Sequence, residues 1–118
     1  MNAAPKQHFT RGRAVEYMAY NLLLTKGYHA VMSAGKTSPV DIIAWRCSGD
    51  QILVKTERAK TRLNTPELVA RRYAPDLAAL RGMAVPPFAD RHLWVWDAWH
   101  DWRFFSVFTG GICEVDGV

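Results

Sequence analysis

A chain of 118 residues, 49% hydrophobic and 22% charged, can bury one core and has no room for a second domain of ordinary size, so one globular domain over 1–118 is expected. No run of about eighteen apolar residues is present to span a bilayer, and the start Met1-Asn2-Ala3-Ala4-Pro5-Lys6 lacks a leader's apolar block. The composition therefore excludes a membrane partner and predicts a soluble, cytoplasmic protein. The net charge of +4 is unevenly spread, with six basic against two acidic residues between positions 55 and 72 and an acidic excess after position 90. A basic face of this kind suits polyanions, or else is an ordinary solvated surface.

Residues 1–9 are polar and contain proline, which predicts a flexible start. Val15, Met18, Ala19, Leu22 and Leu23 then recur at helical spacing, and Gly27 stands where a left-handed cap belongs, predicting a helix from about Thr10 to Lys26. Three β-like runs follow, Ala30–Met32, Val40–Trp45 and Ile52–Thr56, separated by turn residues. Thr65 before Pro66 is an N-cap with proline at the first helical position, and Pro75 interrupts or kinks the helix that starts there. Beyond Pro86-Pro87, Leu93–Trp96 and Arg103–Phe108 read as two strands apolar on both faces, which points to a second chain covering one of them. The order α-βββ-α-ββ implies an α/β sandwich around a mixed five-stranded sheet. Cys47 and Cys113 have no metal-ligand spacing and are expected to be reduced thiols.

Asp41 interrupts the apolar run Val-Asp-Ile-Ile-Ala-Trp, and Lys55 ends Ile-Leu-Val-Lys. Each needs a partner, because an uncompensated charge in such a setting costs several kcal/mol. If Arg46–Asp50 is the connecting loop, its odd length places residue 41 opposite residue 55, on one face. That juxtaposition is either a hairpin salt bridge or part of a site. Glu57 shares the strand face of Leu53 and Lys55 by period-two alternation. Glu16 borders the apolar stripe of the first helix, from which it reaches toward the sheet or faces solvent. Carboxylates from Asp41, Glu57 and Glu16 around a lysine form a donor set for Mg²⁺, with Mn²⁺ as a substitute, while the lysine orients water at a phosphate. The aromatics at 94, 96, 99, 102, 104, 105 and 108 are read chiefly as core or subunit interface, with base stacking as the other role open to them. His8, His29 and His92 lack metal spacing, and His100-Asp101 reads as a structural turn.

Three stretches carry a resemblance: Arg11-Gly12-Arg13-Ala14-Val15-Glu16, then Lys26 to Lys36 with Ser33-Ala34-Gly35 at its centre, then Pro39-Val40-Asp41-Ile42-Ile43-Ala44-Trp45. Together they resemble the archaeal-type Holliday junction resolvases of the PD-(D/E)xK nuclease superfamily, over about Arg11 to Lys60. The resemblance implies a single nuclease-like domain with a restriction-endonuclease-like fold, Glu16 as the helix glutamate, Asp41 as the metal-binding aspartate, Lys55 as the motif lysine, and Ser33 beside the scissile strand. It also implies a Mg²⁺-dependent homodimer that cuts opposed strands of a four-way junction. One position departs from the pattern: an acidic residue is expected two before the lysine, and this chain has Leu53. Either Glu57 supplies the carboxylate or the metal site is incomplete. The first leaves a junction resolvase or a general duplex nuclease; the second leaves a catalytically silent DNA-binding or interaction module. Arg11, Arg13, Lys36, Arg58, Lys60, Arg62, Arg71 and Arg72 are the expected phosphate contacts along the DNA arms.

Overall fold

The computed structural model describes residues 11–33, 38–99 and 101–118. The expected flexible start and Lys36 lie outside them. Helix α1 spans Arg11–Thr25 and buries Val15, Ala19 and Leu23, one turn apart, completely. It ends as its sequence dictates. Gly27 takes φ +87°, the conformation that a β-carbon disfavours, and lets the Tyr28 amide return to the Leu23 carbonyl at 3.0 Å.

Strands β1 (His29–Met32), β2 (Ile42–Trp45) and β3 (Gln51–Arg58) form an antiparallel meander. The β2–β3 loop closes with the Arg46 amide on the Asp50 carbonyl at 2.9 Å. Ile42 stands opposite Val54, so the expected register, with Asp41 opposite Lys55, holds. Helix α2 (Pro66–Arg72) starts under the Thr65 cap, whose hydroxyl accepts from the Leu68 amide at 3.2 Å. The anticipated interruption falls at Tyr73, and α3 (Ala74–Gly82) begins anew with Pro75 in its first turn, where a missing N–H costs nothing. Strand β4 (Ala89–Trp96) runs parallel to β3, and β5 (Trp102–Phe108) and β6 (Gly111–Val115) complete the sheet antiparallel.

Among the described residues the sheet has six strands in sequence order, not five. The added β6 lacks apolar alternation. It is held by pairing with β5 and by the buried Arg103, which binds Glu114 at 2.9 and 3.0 Å. Helix α1 covers one face, packing on Ile42, Ala44, Ile52, Val54 and Trp94; α2 and α3 cover the other, packing on Leu53, Leu93, Val95, Phe105 and Val107. Full burial of Trp94 and Phe105, on opposite faces, contributes about 2–3 kcal/mol each. The two-faced apolarity of β4 and β5 is thus met largely within the chain rather than by a second one. Both cysteines are free and exposed. No helix among the described residues is long and apolar enough to cross a membrane.

Candidate active site

Strand β3 outruns its neighbour. Because β2 begins opposite Val54, the stretch Lys55–Arg58 has an edge that β2 does not cover, and Asp41 sits at its start. The Asp41 backbone is clamped from both sides, its carbonyl accepting from the Ser33 amide at 2.7 Å and its amide donating to the Val54 carbonyl at 2.8 Å. Its carboxylate wraps the edge: Oδ2 accepts from the Thr56 amide at 2.8 Å and the Thr56 hydroxyl at 3.0 Å, and Oδ1 lies 3.7 Å from Lys55 Nζ. Those contacts supply the compensation that a charge in an apolar run requires. The salt bridge foreseen as one reading of the pair is therefore present, inside a larger cluster.

Glu16 comes to the same place from α1. It pairs with Arg13 at 3.0 Å, and its pKa is held above the usual carboxylate value, by burial first and then by the nearby negative charge of Asp41. Glu57 arrives from the α3 side of the sheet. Burial, a hydrogen bond shared with Asp76 and the Asp76 charge push its carboxyl up to about 8. Behind it, the Tyr73 hydroxyl is buried without a hydrogen-bond partner among the described residues. Glu16, Asp41, Lys55, Glu57, Arg58 and Lys60 all line one cleft of about 370 Å³. Lys55 also borders a second depression of about 430 Å³ that reaches Ser38 and Asp76.

Protein-family models give no match to the chain, and neither do curated protein sequences. Among solved structures, that of Archaeoglobus fulgidus Hjc, a Holliday junction resolvase from an archaeal hyperthermophile, is similar at 18% identity with a TM-score of 0.53, over 91% of this chain and 84% of that one. The chain has the resolvase fold.

Within this resolvase fold, the residues expected to act together do so unevenly. Glu16, Asp41, Lys55 and Glu57 converge, with Arg58 and Lys60 exposed at the rim. Ser33 contributes its backbone amide to Asp41. Arg62 is committed elsewhere, 3.3 Å from the buried Asp97. Arg71 and Arg72 are exposed in the last turn of α2, where they complement the helix dipole. The side chain of Arg11 lies outside the described set, as does Lys36. Leu53 is 6% exposed and packs in the core under α2 and α3, so its position is structural. Three residues of the cluster were not anticipated: Thr56, Tyr73 and Asp76. Only Thr56 had a signal, a hydroxyl at a buried strand position beside the lysine; Asp76 reads in sequence as an ordinary first-turn helix acid.

Among the described residues no three His, Cys, Asp or Glu side chains converge closely enough to hold a metal ion by themselves. Glu16 and Asp41 do form a pair of mutually repelling carboxylates at the cleft. Mg²⁺ is commonly held by one or two carboxylates together with water and substrate phosphates, so this donor set fits an ion that binds along with DNA. Glu57 lines the same cleft, and for it to join Glu16 and Asp41 as a third ligand an ion would have to overcome the burial and the Asp76 carboxyl that raise its pKa.

Proposed function

We propose that the chain is a structure-selective endodeoxyribonuclease that resolves four-way DNA junctions as a homodimer, with Mg²⁺ or Mn²⁺ as cofactor. The observation that carries this reading is the convergence of Glu16, Asp41 and Lys55, from three separate elements, on one cleft with Arg58 and Lys60 at its rim. Glu16 and Asp41 would hold the ion. Bound there, it would polarise the scissile phosphate. Lys55, steered by Asp41, would orient the attacking water and offset the negative charge that grows on the phosphoryl oxygens. Arg58 and Lys60 would contact flanking phosphates, which positions the duplex without reading its sequence. Val31, Ile43 and Trp45, exposed on one face of β1 and β2, offer apolar surface for a second subunit, and junction preference would follow from the spacing of two clefts.

Leu53 in the core and the raised pKa of Glu57 beside Asp76 favour a second reading, a DNA-binding module of this fold without catalysis. Incubation of a synthetic four-way junction and a linear duplex with Mg²⁺, beside Asp41→Ala and Glu57→Ala, separates the two. Cleavage of the junction by wild type and Glu57→Ala, and loss in Asp41→Ala, is the expected result. Binding without cleavage of either DNA would replace the enzyme with the binding module, and equal cleavage of the linear duplex would make it a general nuclease.

A further inference from the structure

We propose that Trp99, at the tip of the β4–β5 hairpin, is a base-stacking residue that receives an unpaired base at a DNA branch point; the inference rests on the DNA-processing reading above. Trp99 is 69% exposed, an unusual position for the largest apolar side chain. It is also firmly presented. Asp97, itself 3% exposed, accepts from the Trp99 amide at 2.8 Å and from the Asp101 amide at 3.2 Å, which shapes the tip. The Asp97 amide in turn donates to the Asp101 carbonyl at 3.0 Å. The Arg62 guanidinium, anchored 3.3 Å from Asp97, lies 5.0 Å from the centre of the Trp99 ring. Arg62 therefore backs the indole, and most of the ring is left to solvent.

The location selects the partner. Strand register puts Lys55 opposite Leu93 and Arg58 opposite Trp96, and the Ala59 amide donates to the Trp96 carbonyl at 2.9 Å. The hairpin therefore emerges at the end of the sheet that carries the cleft and its basic rim: Trp96 lies about 10 Å along the strand from the level of Lys55, and Trp99 at the tip lies farther out, up to roughly 20 Å, or about six nucleotide steps. The other strongly exposed aromatics, Phe88 and Phe108, flank the opposite ends of β4 and β5. Charge at the tip also discriminates. Asp97 and Asp101 outnumber Arg62 there, which disfavours a phosphate, whereas a base is neutral and offers a π-face to the open indole. A strand whose phosphates lie along Arg58 and Lys60 would thus bring a base, not its backbone, to Trp99. A continuous duplex keeps its bases stacked on one another, so the contact is available only at a branch, gap or end.

The test compares full-length wild type, Trp99→Ala and Trp99→Phe on a four-way junction carrying 2-aminopurine at the branch point and on an intact linear duplex. Trp99→Ala is expected to lose roughly tenfold or more in affinity for the junction, the scale of one base–aromatic stack, with linear-duplex binding and thermal stability unchanged. Trp99→Phe is expected to retain most of the affinity. Wild type should alter the 2-aminopurine emission, and Trp99→Ala should not. Equal losses on both DNAs, no loss on either, or a Trp99→Ala protein that sediments as a smaller assembly would overturn the proposal, the last by making the ring a subunit contact. Wild type that binds neither DNA overturns the DNA reading as well; wild type that binds the junction, with Trp99→Ala unchanged, overturns only the role of Trp99.

Discussion

Replacing Glu57 with glutamine removes a proton that the folded protein holds and the unfolded chain releases. The folded carboxyl titrates at about 8, against 4.5 ordinarily, because it is buried and faces Asp76. Between these two values the unfolded state binds fewer protons than the native state, so stability falls as pH rises, and the whole penalty is present above pH 8. At 1.36 kcal/mol per unit the shift corresponds to nearly 5 kcal/mol at most; the carboxyl borders an open cleft, and discounting for solvent screening leaves about 2 kcal/mol. The amide keeps the shape of the side chain and a donor toward Asp76 without the titration. Glu57→Gln should therefore match wild type near pH 5 and exceed it by about 2 kcal/mol at pH 9, on the order of 8 °C in Tm for a domain this small. Urea unfolding followed by tryptophan fluorescence from pH 5 to 9, in chelator so that no divalent ion competes for the carboxyl, reads the difference directly. A constant offset across that range would refute the assignment of the raised acid, and Asp76→Asn, which removes one of its causes, should reduce the wild-type slope.

His92 gives the opposite slope. Burial lowers its pKa to about 4, and its Nδ1 accepts from the Trp94 indole at 3.0 Å; stability complete above pH 6.5 should fall by up to about 3 kcal/mol as pH drops toward 4, a loss that His92→Gln flattens in acid unfolding curves. Restoring an acid at the departing position by Leu53→Glu should destabilise the fold by about 3 kcal/mol or more, because the new carboxylate enters an apolar core, and calorimetric Mg²⁺ titration should show no gain in affinity. Arg58→Ala with Lys60→Ala should lower the slope of log K against log salt for duplex binding by about 2, one for each phosphate that is no longer neutralised. Lys55→Met should reduce junction cleavage by roughly a hundredfold or more with binding retained, measured under single-turnover conditions.

The first half of the fold was legible because local rules decide it. Apolar spacing and Gly27 define α1, and the odd β2–β3 loop places Asp41 opposite Lys55. Glu16 was legible as a residue at the border of the packed stripe, and its place in the cleft follows from how α1 crosses the sheet. What escaped depends on long-range packing. Asp76 meets Glu57 only because the helix breaks at Tyr73 and α3 folds back over the sheet, and Arg62 is diverted by an aspartate 35 positions away. Strand β6 escaped because its edge position leaves Cys113 and Glu114 exposed, so no alternation marks it. That position 53 carries leucine where the resolvase pattern has an acid was visible in the sequence, but the Asp76 carboxyl that raises the pKa of Glu57 was not.

The parallel β3–β4 ladder joins two antiparallel meanders, one before α2 and one after α3, and it is the pairing that ties them into one sheet. Each meander is built from near neighbours in the chain, whereas Gln51 and Ala89 must close a long loop before they pair. Loop closure of that kind is the slow part of folding. Glu16, Asp41, Lys55 and Thr56 all belong to the first meander and the helix that packs on it, although that helix completes its core only when Trp94 arrives from the second. Trp99 and Asp97, the partner of Arg62, belong to the second. On a ribosome the carboxylate pair and its lysine would emerge before the hairpin that carries Trp99.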